Sequence, residues 1–436
     1  MTGVKMIAKL PRLILALALL SLAAAQVAEA QTKKPAAARP APKAAPAAKA
    51  QAAPPAPEVD ANGMPVIQTA AKYAYMVDAD TGQVLLNKNG NERMYPSSMT
   101  KMLTAYMIFS KLKKGDIKLD DELVVSEAAW RQGGSKMFVP LGARVKIEDL
   151  LRGVIIQSGN DACIVLAEGL AGSQDAFAED MNRWAKQLGM NDSNFRNPDG
   201  WPDPQHYSTA HDLATIAIRT IKDFPEYYKY YGEREFAFNG IKQGNRNPLL
   251  YQNFGADGLK TGHTEGGGYG VTASAVREGR RLVLVLNGMA SMKERAQESQ
   301  RVMDWGFREW GTYTLYKEGD KVADADVWLG DQKAVPLVAP KTLTASLPRR
   351  YRRDMKVTVS YQNPVPAPVH KGDPIGKLIV TAPNLKTLEL PLVAGSDVGQ
   401  LGVVGRMGAA VSYLVFGRGT AAASATPATA TATATK

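Results

Sequence analysis

A chain of 436 residues with 45% hydrophobic content can bury a sizeable core, enough for two domains with appendages, which excludes a wholly disordered protein. The net charge of +11 does not mark a nucleic-acid binder, because residues 1–50 carry +7 of it, the remainder only +4, and no nucleic-acid motif is present. Cys163 is the only cysteine, so no internal disulfide forms, and without CxxC, HExxH or metal-spaced histidines neither a metal nor another cofactor is expected.

In chain order, Lys5, Lys9 and Arg12 precede an apolar run from Leu13 to Ala25 and the triplet Ala28-Glu29-Ala30. This layout predicts a signal peptide over 1–30 and export to the periplasm, the apolar run being short for a membrane span. Residues 31–63 are rich in Ala, Pro and Lys and read as an extended linker. A hairpin is expected from Tyr73 to Leu86, turning at Asp78–Gly82, and a long apolar helix from Ser97 to Phe109. A helix from Glu148 through Ile155, a break at Gly159 and a helix from Ala162 to Gly169 follow. Strands at Gly268–Ala275 and Arg281–Asn287 and a helix from Met292 to Trp310 complete an α+β domain over 64–315.

Residues 316–396 change character to short strands broken by Pro and Gly, including Lys356–Tyr361 and Pro374–Thr381, and predict a small β-sandwich domain. Leu401, Val404, Met407, Val411, Leu414 and Val415 then recur at helical spacing beside Arg406 and Arg418. The pattern over 397–418 predicts an amphipathic helix on the inner-membrane surface, and the Ala/Thr tail, 419–436, reads as disordered.

Three short motifs carry chemistry. Ser98 and Lys101 stand at i and i+3, close enough on a helix for the amine to take the hydroxyl proton. Spacing alone proves little, since Ser110 and Lys113 share it. Lys101, however, is the only charged residue between Arg93 and Lys111, and burial in such a helix disfavours its ammonium form. Ser110–Lys113 instead opens a solvated lysine run at a helix end. The second motif is Ser158-Gly159-Asn160, at the helix break, and the third is Lys260-Thr261-Gly262, ahead of Gly266-Gly267-Gly268. A strand-edge lysine can bind a carboxylate, and a glycine beside it admits the substrate backbone. S-x-x-K, S-D-N and K-T-G in this order form the site of penicillin-binding proteins and class A β-lactamases; here the middle motif reads Ser-Gly-Asn.

At these residues the sequence resembles the low-molecular-mass penicillin-binding D-alanyl-D-alanine carboxypeptidases over about 64–395. Tyr95–Met102, Gln157–Cys163, Asn245-Arg246-Asn247, Asp257–Thr264 and Trp305-Gly306-Phe307 all resemble family signatures. The resemblance implies a transpeptidase-like catalytic domain followed by the β domain, and a peptidoglycan stem peptide ending in D-Ala-D-Ala as substrate, with β-lactams as acylating inhibitors. It implies that Ser98 is acylated, Lys101 is the base, Ser158 relays protons, and Asn160 positions Lys101 or the substrate amide. Lys260 and Thr261 would hold the substrate carboxylate with Arg246, Gly262 would let the substrate lie close, and the N–H groups of Ser98 and His263 would form the oxyanion hole. Arg295 is a further helper.

The glycines at 266–268 depart from the family pattern and make that strand edge look flexible, and the linker before residue 64 departs from it too. Cys163 reads as a small buried helix residue and Arg349, Arg350, Arg352 and Arg353 as a solvated loop. Two enzyme alternatives use the same serine, a β-lactamase and a D,D-endopeptidase; the third reading is a cell-wall binding protein without activity. No acidic residue is marked as the deacylating group a lactamase needs.

Overall fold

The computed structural model describes residues 59–61 and 63–408. The expected signal peptide, almost all of the linker, residues 409–418 of the expected membrane helix and the Ala/Thr tail lie outside the described residues.

The strands Tyr73–Asp78 and Arg280–Met289 are apolar on both faces, and alternation sends their side chains to two different cores. Tyr75, Val77, Val283 and Val285 face a core built with the helices Lys101–Lys114, Asn160–Ala171, Gln174–Leu188 and Ala210–Asp223. Ala74, Met76, Leu282, Leu284 and Leu286 face a core closed by Val302, Met303, Trp305 and Phe307 of the helix Met292–Glu309. Both strands are therefore interior members of an antiparallel five-stranded sheet. Its order is Val84–Lys88, Tyr73–Asp78, Arg280–Met289, Gly268–Arg277, Ala256–Thr264. The last of these is an edge strand, and it carries Lys260.

Helix ends follow local chemistry. Ser291 accepts a hydrogen bond from the Glu294 N–H (3.1 Å) while Glu294 accepts one from the Ala290 N–H (2.6 Å), fixing the start of Met292–Glu309. Lys101–Lys114 runs past the expected stop at Phe109, because Ser110 and Leu112 still reach the core, and ends at the left-handed Gly115. The expected helix Glu148–Ile155 is instead α-helical only over Ile147–Arg152 and widens to a π turn over Gly153–Gln157.

Trp310–Tyr316 pairs with Leu343–Pro348, so the β domain begins at Trp310 and the expected boundary at 315/316 falls inside this strand. That two-stranded ribbon shares a core, including Tyr313, Leu343, Leu347, Leu378 and Leu392, with a six-stranded sheet. Lys356–Tyr361 and Pro374–Thr381 are strands of that sheet at the expected bounds. The arginines 349–353 form a 3-10 turn, not a free loop: Arg350 donates to the Gly63 carbonyl (3.0 Å) and Arg349 to that of Phe307 (3.3 Å).

The two domains meet at Asp78, which is fully buried. Its carboxylate accepts from Arg280 Nε (2.9 Å), Thr312 Oγ1 (2.6 Å) and Ser346 Oγ (2.9 Å), and the turn N–H groups of Asp80 and Thr81 complete its shell. Arg280 also donates to the Trp310 carbonyl (2.8 Å). Burial works against the charge on Asp78, but the Thr312 hydroxyl and the Arg280 guanidinium outweigh it and hold its pKa below the ordinary carboxylate value. That stabilisation is in place above the unfolded-state pKa and is lost as the pH falls through the lower folded value. Asp78→Ala leaves Arg280 buried without its counter-charge and is expected to cost about 3–5 kcal/mol in a denaturant titration at neutral pH.

Candidate active site

The nucleophile region is a 3-10 turn, Ser97–Thr100, running straight into the helix Lys101–Lys114. Ser97 sits at φ 50°, and its hydroxyl meets that of Thr264 at 2.9 Å, which ties the turn to the Lys260 strand. On its other side Thr100 Oγ1 lies 2.9 Å from His206 Nε2. The Arg196 N–H donates to His206 Nδ1, so Nε2 carries the proton, and burial pushes the imidazole down to about 4 and keeps it neutral.

Lys101 is 1% exposed, in a helix whose side chains from 101 to 110 are all buried. Its Nζ lies 2.9 Å from Ser98 Oγ, 2.7 Å from Asn160 Oδ1 and 2.5 Å from the Asp199 carbonyl oxygen. Burial lowers its pKa, as does the charge of Arg246; Asp199 and Asp161 act in the opposite sense. An amine with a lowered pKa and a hydroxyl within hydrogen-bond reach can act as the base toward Ser98. Ser110 and Lys113 do not compete: Lys113 is half exposed and donates to the Asp223 carbonyl at the helix end.

The π turn ends at Ser158 in a left-handed conformation (φ 59°), which places its hydroxyl in the buried interior with no hydrogen-bond partner among the described residues. Such an orphaned hydroxyl is costly unless a ligand completes it. Asn160 is engaged at both ends, its Oδ1 by Lys101 and its Nδ2 on the Gly133 carbonyl (2.8 Å). Of its two expected roles, the Oδ1 contact fits holding Lys101, while Nδ2 gives one N–H to Gly133 and has a second to offer a substrate. Asp161 accepts from the N–H groups of Met137 and Phe138 (both 2.9 Å) and so fixes the loop behind the motif.

Lys260 is 2% exposed and its Nζ donates only to the adjacent Thr261 carbonyl (3.2 Å). Burial drives its pKa well below the ordinary lysine value, and the charges of Lys101, Arg246 and Arg295 push the same way. Arg246 donates to Ser135 Oγ (2.6 Å), and Arg295, 7% exposed with an unpartnered Nε, donates to the Arg246 carbonyl (3.4 Å). Three cations sharing one region without a bound carboxylate make a receptor for an anion. Thr261 is buried, and the His263 ring stacks on Tyr269 at 3.9 Å.

Gly262 also serves packing within the domain. A Cβ there would lie 2.9 Å from the Pro96 carbonyl oxygen and 3.2 Å from Ser97 Cβ, so the glycine lets the strand press against the nucleophile turn. Cys163 is wholly buried, and burial pushes its thiol up to about 12, which fits an inert packing residue.

Two positions escaped sequence reasoning. Asp199 contributes only a backbone carbonyl, and Gly200 (φ 78°) leaves room for the Ser97 carbonyl, which a Cβ would overlap. Asn197-Pro198-Asp199-Gly200 reads as a turn, but nothing in it announces a contact with a lysine 98 positions away.

With this geometry established, comparison with known proteins is direct. The D-alanyl-D-alanine carboxypeptidase peptidase family matches residues 58–290, and the C-terminal domain of penicillin-binding protein 5 matches 310–400. The D-alanyl-D-alanine carboxypeptidase DacA of Haemophilus influenzae is 37% identical over 346 residues, 78% of this chain and 88% of that one. DacC of Escherichia coli is 37% identical over 345 residues, 77% of this chain and 86% of the relative. The crystal structure of penicillin binding protein 5 from Haemophilus influenzae superposes with a TM-score of 0.73 at 37% identity, covering 78% of this chain and all of that one.

Gly200→Ala is expected to slow acylation of the protein by penicillin at least about tenfold, because the added methyl displaces the turn bearing Ser98, and strained positions of this kind cost about 1–3 kcal/mol. Gly172→Ala, at φ 81° with nothing within 4 Å of the new methyl, is the control that carries the backbone penalty alone. Equal acylation rates for the two variants would show that the close approach does not matter.

Proposed function

The chain belongs to the D-alanyl-D-alanine carboxypeptidase family and is a serine-type carboxypeptidase of penicillin-binding fold; from that premise we propose how its own residues perform the reaction. The observation that carries the reading is the Lys101 amine, buried and 2.9 Å from Ser98 Oγ. The terminal carboxylate of a peptide ending in D-Ala-D-Ala binds at Lys260, Thr261, Arg246 and Arg295. Ser98 Oγ attacks the penultimate carbonyl carbon while Lys101 takes its proton, and the N–H groups of Ser98 and His263 hold the oxyanion, an interaction typically worth about 3–4 kcal/mol. As the C–N bond breaks, the proton passes from Lys101 through Ser158 to the departing D-alanine nitrogen. Ser158 suits this relay because its hydroxyl is buried and unpartnered until substrate arrives. Water then attacks the acyl-enzyme, giving a proton back toward Ser98 Oγ as the peptide leaves. A β-lactam follows the same first step, its ring carbonyl replacing the peptide carbonyl, but its leaving group stays tethered.

Deacylation of that adduct is expected to be slow. The two carboxylates bearing on Lys101 are both engaged: Asp161 by backbone N–H groups, Asp199 by Gln132 Nε2 (2.8 Å) and the Trp201 N–H (3.1 Å). Neither is free to activate water as a lactamase requires, which favours the carboxypeptidase reading over the alternative.

Export and membrane attachment belong to the same proposal. They rest on the N-terminal charge and hydropathy pattern and on the exposed Val403, Val404 and Met407 at the start of the helix over 403–408. Among the described residues no helix is long and apolar enough to cross a membrane.

Labelled penicillin is expected to form a covalent adduct on Ser98, absent in Ser98→Ala; release of D-alanine by that variant would overturn the assignment. Lys101→Arg places a permanent charge there and cannot accept the serine proton, and acylation should fall by about two to four orders of magnitude. In the unaltered enzyme, acylation should rise with pH through an ionisation below the ordinary lysine value of about 10.4, since only the neutral amine accepts the proton. Deleting everything after Ser396 should release an active protein from membranes; a truncated protein that still pellets with them would rule out the helix as the anchor.

A further inference from the structure

Next to the nucleophile turn lies a second cavity of about 540 Å³. Tyr73, Tyr95 and Tyr207 form its aromatic walls, Lys72 and Arg93 its charged ones, and the glycines 266–268 one rim; no acidic residue lines it. Arg93 lies over the Tyr207 ring (4.3 Å) and Lys72 over that of Tyr73 (5.1 Å), and neither has a carboxylate partner among the described residues. The aromatic faces orient the cations without neutralising them.

The segment carrying Arg93 is fixed. Met94 exchanges backbone hydrogen bonds with Ser208 (2.8 and 3.0 Å), and the Tyr95 carbonyl accepts from Asn287 Nδ2 (3.0 Å). The glycines, which in the sequence suggest only a flexible edge, here let the turn after Thr264 lie against this segment. A Cβ on Gly267 would meet Ser97 Oγ at 3.1 Å and Tyr95 Cβ at 3.2 Å, and one on Gly266 would lie 3.6 Å from Tyr95. The cavity and the nucleophile turn therefore share a wall.

Position supplies the rest of the argument, which rests on the carboxypeptidase reading above. A donor peptide lying along Ala256–Thr264, its terminal carboxylate at Lys260, runs toward the turn at Gly266. From Lys260 to Thr264, where the strand ends and the turn begins, is about 13 Å, or roughly four extended residues. One cationic cluster thus sits at mid-strand, around Lys260, and the cavity with Arg93 and Lys72 lies beyond the strand's C-terminal end. We propose that this cavity is a second carboxylate subsite, in which Arg93 and Lys72 receive an acidic group of the donor peptide roughly three to four residues before the scissile bond. The tyrosine rings pack on the backbone that carries it. The enzyme then recognises its substrate by two carboxylates at a fixed spacing, and not by the D-Ala-D-Ala end alone.

The test compares kcat/KM for two synthetic peptides of equal length ending in D-Ala-D-Ala, one with an acidic side chain at that upstream position and one with the corresponding amide. The full-length enzyme should prefer the acid. Arg93→Gln should lower the acid-to-amide ratio about tenfold, the loss of one charge-assisted contact, and Lys72→Gln should lower it by less. For the unaltered protein, raising the ionic strength should erode the same ratio, which decides the matter even if a variant does not fold. No acid preference, a preference insensitive to salt, or an unchanged ratio in a folded Arg93→Gln enzyme overturns the proposal. Penicillin labelling of Ser98 separates the two levels: intact labelling without acid preference rejects the subsite alone, whereas absent labelling rejects the catalytic reading beneath it.

Discussion

The burial of Lys101, which disfavours its ammonium form, is the constraint on which the rest of the structure depends. An ammonium group with 1% exposure is strongly disfavoured unless it is paired, and the protein supplies no carboxylate within hydrogen-bond distance of it. It offers instead a hydroxyl, an amide oxygen and a backbone carbonyl, which a neutral or transiently charged amine can use equally. Each of these comes from a different part of the chain, so the folded domain and the reactive amine are assembled together. Ser98 lies in the turn leading into the helix, Asn160 follows the π turn, and Asp199 belongs to the turn before Trp201.

The cost of such convergence is crowding, and glycines absorb it. Gly200 clears the Ser97 carbonyl, and Gly262 clears the Pro96 carbonyl and Ser97. The nucleophile turn is held between the two, with Ser97 itself in a left-handed conformation. A serine presented this way cannot drift from its base, which is the geometric condition for rapid proton transfer. The opposite side of the cleft is unfinished by comparison: among the described residues Ser158 Oγ and Arg295 Nε lack partners, and Lys260 has only its neighbour's carbonyl. Polar groups left open on that side can be completed by a ligand, which favours binding energy being realised there.

A second buried charge organises the molecule at larger scale. Asp78 ends the first strand of the sheet, receives Arg280 from the neighbouring strand and takes the hydroxyls of Thr312 and Ser346 from the β domain. A charge shared in this way couples the domains more specifically than apolar contact does, since removing any one partner leaves another buried and unsatisfied. It also explains why the strand from Trp310 already belongs to the β domain: Thr312 must be paired with Ser346 to complete the shell.

The sequence by itself determined the chemistry and most of the elements. Lys101 stands out because seventeen positions around it, 94 to 110, contain no other charge, and apolar patterning of that length permits only a buried helix. The Ser158 and Lys260 motifs were legible by their order, and the strands near 270 and 285 by their apolar runs. What the tertiary structure alone decided are contacts made by backbone atoms and by empty space. The Asp199 carbonyl on Lys101, the room left at Gly200 and the close approach of Gly262 to Pro96 have no side-chain signature. Every residue has a carbonyl, and a glycine looks the same whether it serves a turn or a close approach. Such contacts join segments about 100 to 170 residues apart, and only the packing of the two cores around the sheet brings those segments together.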